Sequence, residues 1–254
     1  MENLAFAERE YFVDSTMLDI NGCLTAAQIL RMFQQTGMDH LDKTKHGYDI
    51  MNEEGVAFLL SKSNINVMRP AYYGDILYSQ TCLPKISGIF YQRYFRLMTP
   101  DYETVADGCT LWTLVDLERR TIIRPNHTDN SYMPPFEAFS VTAEPPKTVE
   151  LPEDMELIGT HTVTYSDCDQ YGHMNNTKYV EVILNTLKDF MKGTRVNTLE
   201  MCYSHEAPLN SELSIYHAKE QSFGGMQFFD VKNGEKSCFS ANVSFTPLLK
   251  RRIM

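Results

Sequence analysis

Two segments 150 residues apart read as degenerate copies of one unit. A chain with such a repeat is constrained to fold as two like modules. The first copy runs Leu18-Asp19-Ile20-Asn21-Gly22-Cys23-Leu24-Thr25 and the second Cys168-Asp169-Gln170-Tyr171-Gly172-His173-Met174-Asn175. Asp19 matches Asp169, Gly22 matches Gly172, and Cys23 stands where the second copy has His173. A helical pattern follows each. Ala26, Ile29, Leu30, Phe33, Gly37 and Leu41 fall on one face in copy one, and Tyr179, Val180, Ile183, Leu184, Leu187 and Met191 in copy two. Strand-like runs come next: 57–68, 76–83, 89–98 and 109–117 in copy one, and 196–203, 212–217, 226–231 and 238–245 in copy two. Asn233-Gly234 between the last two is a hairpin signal. A second offset, 136, pairs Pro70-Ala71 with Glu206-Ala207 and Leu77 with Leu213. The change of 14 places an insertion in copy one, in the polar stretch 40–54.

One long helix followed by consecutive antiparallel strands predicts a curled sheet whose apolar face the helix buries. The expected class is α+β: two such units side by side, a pseudo-dimer in one chain. Residues 124–154 hold Pro125, Pro134, Pro135, Pro145, Pro146 and Pro152, which stiffen a connecting segment and remove ladder donors. The expected division is therefore a first unit at 1–124, a proline-rich linker at 125–154 and a second unit at 155–254. A net charge of -10 argues against nucleic acid or an anionic membrane as the main partner. Apolar runs are too short to span a bilayer, and the start of the chain lacks the pattern of a secretory signal. Six scattered cysteines without a C-x-x-C pair suit reduced thiols, so the expected location is the cytoplasm.

Only the second copy is equipped for chemistry. Asp169 and His173 sit four apart at the mouth of a helix, with Gly172 permitting a tight turn. Amides from Gly172 to Met174 could polarise a carbonyl there, and Asn175 or Asn176 could cap the helix. Glu206 closes a strand-like run before Pro208; a carboxylate there can activate water or attack a carbonyl. Asp169 would order the loop. A zinc reading of His173, Asp169, Cys202 and His205-Glu206 lacks ligand spacing, a serine triad lacks its G-x-S-x-G elbow, and Cys168 beside two aspartates is a poor thiolate. No metal and no cofactor is expected.

The run from Tyr165 to Tyr179, containing Asp169-Gln170-Tyr171-Gly172-His173-Met174-Asn175-Asn176, resembles the signature of acyl-[acyl-carrier-protein] thioesterases. So do Arg69-Pro70-Ala71-Tyr72-Tyr73-Gly74-Asp75, Trp112 with Arg119-Arg120, Leu199-Glu200, and His205-Glu206-Ala207. The resemblance implies a tandem double hotdog and hydrolysis of the thioester between a fatty acyl chain and acyl carrier protein (ACP). By position Asp169, His173 and Glu206 match the family's catalytic aspartate, histidine and glutamate. Tyr171, Gly172, Asn175 and Lys178 are the substrate-binding candidates. Tyr171 stands where the plant enzymes have asparagine, and Ala207 where they have cysteine. The implied partner is acyl-ACP, with monomer or homodimer both open. An acyl-CoA thioesterase of the same fold and a non-catalytic acyl-binding module are the rival readings. Met32, Phe33, Met38, Phe58 and Leu60 are candidate acyl-tunnel residues. Lys178, Lys188, Lys192, Arg195 and the tail Lys250-Arg251-Arg252 are candidates for a carrier dock.

Overall fold

The computed structural model describes residues 6–44, 47–125, 141–219 and 225–248, with the side chains of Pro84, Lys85 and Lys219 left aside. The tail Lys250-Arg251-Arg252 and the middle of the linker lie outside these residues. The first unit contributes β1 (Ala7–Phe12), α1 (Ala26–Asp42), α2 (Tyr48–Glu53), β2 (Val56–Val67), β3 (Ile76–Ser87), β4 (Phe90–Met98), β5 (Thr104–Asp116) and the short β6 (Thr121–Ile122). The second contributes β7 (Glu156–Thr162), α3 (Asn176–Thr186), β8 (Thr194–Tyr203), β9 (Glu212–Lys219), β10 (Gln227–Asn233) and β11 (Lys236–Pro247).

All strands join one antiparallel sheet in the order β1-β3-β4-β5-β2-β8-β11-β10-β9-β7, with β6 paired to β5. The second half of that order is the first reflected, strand for strand. The mirror point is the β2–β8 pairing, where Asn64 lies opposite Glu200. Those two residues are 136 apart, so the strand meets its own copy at the centre of the sheet. The local loops repeat as well. Short 3-10 turns stand at Ser15–Met17 and Tyr165–Asp167, and glycines with positive φ at Gly22 (73°) and Gly172 (78°). Thr25 caps α1 through Gln28 N, and Asn175 caps α3 through Thr177 N. The expected double hotdog is the fold observed.

Each helix buries an apolar face against its half of the sheet, and the two faces merge into one core. That core runs from Ile29, Leu30 and Phe33 through Ile65 and Leu199 to Ile183, Phe229 and Phe239. Phe33 stacks on Phe95 at 4.8 Å, and Tyr179 on Phe239 at 5.0 Å. A smaller cluster of Leu41, Met51, Leu83, Tyr91 and Leu114 lies under α2 and has Phe58 against it. Residues 141–155 cross the outer face of the sheet. Asp107 Oδ2 accepts from the Thr142 and Ala143 amides, Asn64 donates to Glu144 O, and Lys62 donates to Thr148 Oγ1.

Three elements differ from expectation. The second helical pattern reaches Met191, whereas α3 ends at Thr186. The following turn is drawn to the first unit instead: Asn21 Nδ2 donates to Met191 O and Thr194 O, and its Oδ1 accepts from Gly193 N. Residues 160–166 alternate apolar and polar and predict a strand there; the strand observed starts at Glu156 and ends at Thr162, because the Thr164–Asp167 capping box bends the next residues into a 3-10 turn. The insertion at 40–54 holds α2, a helix without counterpart in the second unit. No helix among the described residues is long and apolar enough to cross a membrane.

Candidate active site

Tight backbone bonding builds the loop before α3. Asp169 N donates to His173 O (2.9 Å), and Gly172 N donates to Asp169 O (3.0 Å). The Asp169 side chain closes the loop from within, its Oδ1 accepting from Tyr171 N at 2.9 Å and His173 N at 3.4 Å. Asp19 does the same in the first unit for Asn21 N and Cys23 N, at 2.8 and 3.0 Å. An aspartate thus orders this loop in both copies of the fold, Asp19 in the first and Asp169 in the second, with its carboxylate facing amides.

A bridge between His173 and Pro208, with Met174 N donating to Ala207 O, lays this loop along the end of β8. That contact brings His173 Nε2 to 3.5 Å from Glu206 Oε2. Both side chains are partly open to solvent, 32% for His173 and 42% for Glu206. A third group arrives from the other unit. Arg120, in the turn between β5 and β6, donates from Nη2 to Glu206 Oε2 at 2.9 Å. Its backbone lies in the left-handed region, φ 53°, a conformation this tight turn requires. The sequence reading marked Arg120 only as part of a resembling strand; its role beside Glu206 depends on an 86-residue separation that no local pattern carries.

The structure corrects the expected amide donors. Gly172 N is spent on Asp169 O, His173 N on Asp169 Oδ1, and Met174 N on Ala207 O. In this arrangement none of the three is left to polarise a carbonyl. The positive group that does reach the pair is the Arg120 guanidinium. Asn175 Oδ1 is likewise occupied as a cap, accepting from Thr177 N (3.0 Å) and Thr177 Oγ1 (2.9 Å). Lys178 Nζ pairs with Glu181 at 2.9 Å, and Glu181 also pairs with Arg31 of α1, so this lysine belongs to a charge cluster between the helices.

Tyr171 is half-exposed and neighbours Tyr48 of α2. Burial first, then the Tyr171 hydroxyl and the charges of Asp49 and Asp169, push the Tyr48 phenol up to about 12. Burial and the flanking Asp167 and Asp169 raise the Cys168 thiol, which keeps it protonated. Cys202 is buried against the linker, accepting from Val149 N. Among the described residues no group of three His, Cys, Asp or Glu is gathered as a metal site. The tunnel candidates Met32, Phe33 and Leu60 are core side chains. None of the five lines the cavity that opens at Cys23.

The family model of the acyl-ACP thioesterase N-terminal domain matches residues 5–128, and that of the C-terminal domain matches residues 152–246. The chain belongs to the acyl-ACP thioesterase family. Solved structures agree on the fold. An acyl-ACP thioesterase from Bacteroides thetaiotaomicron is 21% identical, with 95% of this chain and 98% of that one covered and a TM-score of 0.79. The 12:0-ACP thioesterase from Umbellularia californica is 15% identical, with 96% and 94% covered and a TM-score of 0.83. A comparison with curated proteins returns no match. In this acyl-ACP thioesterase the first unit carries Cys23 and Pro70 where the second carries His173 and Glu206.

Proposed function

We propose that His173 and Glu206 carry the thioester hydrolysis of this acyl-ACP thioesterase. The family's reaction is hydrolysis of a fatty acyl thioester of ACP in fatty acid synthesis, and this chain is a thioester hydrolase of that class. The observation that supports the assignment is the 3.5 Å approach of His173 Nε2 to Glu206 Oε2 at the mouth of α3.

Glu206 takes a proton from a water, and the water oxygen attacks the thioester carbonyl carbon. Negative charge develops on the carbonyl oxygen, where the Arg120 guanidinium offsets it. Collapse breaks the carbon–sulfur bond. The proton held by Glu206 passes through His173 to the departing phosphopantetheine sulfur, leaving fatty acid and thiol-bearing carrier. Asp169 acts by holding the loop that presents His173, and Tyr171 with Tyr48 forms a wall of the entrance contributed by both units.

A panel of acyl-ACPs of varied chain length, run beside matched acyl-CoAs, tests the reading. Fatty acid release selective for ACP is the expected result. Equal or faster release from acyl-CoA would transfer the activity to the other carrier, and binding without release by folded protein would leave only an acyl-binding module.

A further inference from the structure

The first unit keeps the architecture of a site without the groups for chemistry. Cys23 occupies the position of His173, and Pro70 that of Glu206. Yet the loop around Cys23 and the start of α1 open into a cavity of about 400 Å³, a size typical of small-molecule sites. Leu24, Ala27, Ile29, Val67, Val105 and Val196 form its apolar wall. Its mouth is supplied by the second unit, through Lys188, Lys192 and Arg195, with Arg69 from the first.

Charge at this mouth does not cancel. Every acid on the lining is already engaged: Asp19 by the Asn21 and Cys23 amides, Glu181 by Arg31 and Lys178, and Asp189 by Lys192. Arg69 pairs with Glu103. Arg195 donates only to main-chain carbonyls, Val67 O, Val196 O and Met68 O, so its charge has no acid beside it. Lys188 has no acid partner among the described residues. The lining carries four cations, Arg69, Lys188, Lys192 and Arg195, against three acids, Asp19, Glu181 and Asp189, and one positive charge in excess over an apolar wall calls for an anion attached directly to a hydrocarbon chain.

We infer that this cavity is a second, non-catalytic site that binds a fatty carboxylate, with the alkyl chain against the Leu24–Val105 wall and the carboxylate at Arg195 and Lys188. Arg195 donates to the carbonyls of Val67 and Val196, both residues of the lining, so cation and apolar wall adjoin, as carboxylate and chain do in a fatty acid. In an acyl phosphopantetheine the polar arm separates the phosphate from the acyl chain, and such a ligand fits this spacing less well. The ligand is chemically the product of the family reaction, and because no acid–base pair is present the site holds it unchanged. The inference rests on the fatty acyl chemistry of the family and not on the assignment of His173 and Glu206.

Calorimetric titration of the full chain with sodium dodecanoate below its micelle concentration tests the site. Asn185→Trp and Lys188→Glu, both at exposed lining positions of the mouth, are compared with wild type and with Glu206→Gln. Each mouth variant is expected to weaken dodecanoate binding at one site by about tenfold or more, and Glu206→Gln to leave that site intact. Acyl-ACP hydrolysis by Asn185→Trp is expected within about twofold of wild type, since the cavity contains neither catalytic residue. Binding unchanged in both mouth variants, binding lost only in Glu206→Gln, or no dodecanoate binding by wild type would each overturn the inference. So would 4′-phosphopantetheine binding there in place of dodecanoate. A hydrolytically dead wild type that still bound dodecanoate at the mouth would sink the proposed catalysis and leave this site standing.

Discussion

Glu206 is held by one residue from each unit, His173 at 3.5 Å and Arg120 at 2.9 Å. The Arg120 side chain is 77% exposed, so its ion pair contributes little to stability. In the proposed mechanism its value is in aiming the carboxylate and opposing the oxyanion. Arg120→Ala is therefore expected to leave the melting temperature nearly unchanged and to lower kcat by about 10- to 1,000-fold, with Arg120→Lys restoring part of it. A large fall in melting temperature with unchanged kcat would make Arg120 a structural residue instead. Asp167 poses a different question at the same scale. Burial raises its carboxyl, but the Thr164 amide and hydroxyl and the His161 ring outweigh burial, so the native value lies below the ordinary one. The folded state thus binds fewer protons than the unfolded chain. The resulting stability is present above the ordinary carboxylate value near 3.9 and fades as pH falls through the lower native value. Asp167→Asn is expected to be less stable than wild type at pH 7, with the gap closing below about pH 4 in denaturant titrations.

Among the elements, α1 was legible because its apolar period and Thr25 cap agree, and most strands were legible from their apolar runs. The start of β5 was not. The expected run opens at Cys109, but the strand runs from Thr104. Gly108 is there because a Cβ would lie 2.5 Å from Asn64 O on the paired strand and 3.3 Å from Phe33, where α1 presses on the sheet. Gly108→Ala is expected to destabilise the fold by about 1–3 kcal/mol, measurable as a shift of the urea midpoint; a midpoint within error of wild type would contradict the close approach. The site elements divide the same way. His173 and Glu206 were readable because a turn-plus-helix and a strand end before proline are local signals. Arg120 and Tyr48 were not, since each reaches its neighbour from the other unit. The spent amides of Gly172 and His173 were invisible for another reason: hydrogen-bond accounting needs the fold.

At the scale of the whole molecule, the repeat has become one body. Asn64 faces its own copy Glu200 at the centre of the sheet, and Arg31 of α1 pairs with Glu181 of α3, the residue 150 further on. In a dimer of identical chains the positions of Arg31 and Glu181 would meet a like charge; within one chain they carry complementary ones. Because a single apolar core crosses from Ile29 to Phe239, thermal unfolding is expected as one transition, with calorimetric and van't Hoff enthalpies equal. Two resolved transitions would mean that the units are independently stable. The shared body also lets each unit reach the other's loop: Arg120 and Tyr48 from the first lie beside Glu206 and Tyr171, and Lys188 and Arg195 from the second line the cavity at Cys23. The central claim is that only the His173 side performs hydrolysis. Single-turnover release of fatty acid from acyl-ACP by wild type, His173→Ala and Glu206→Gln addresses it most directly. Each variant is expected to fold normally and lose about 10²- to 10⁴-fold in rate; wild-type release by folded Glu206→Gln would contradict the account.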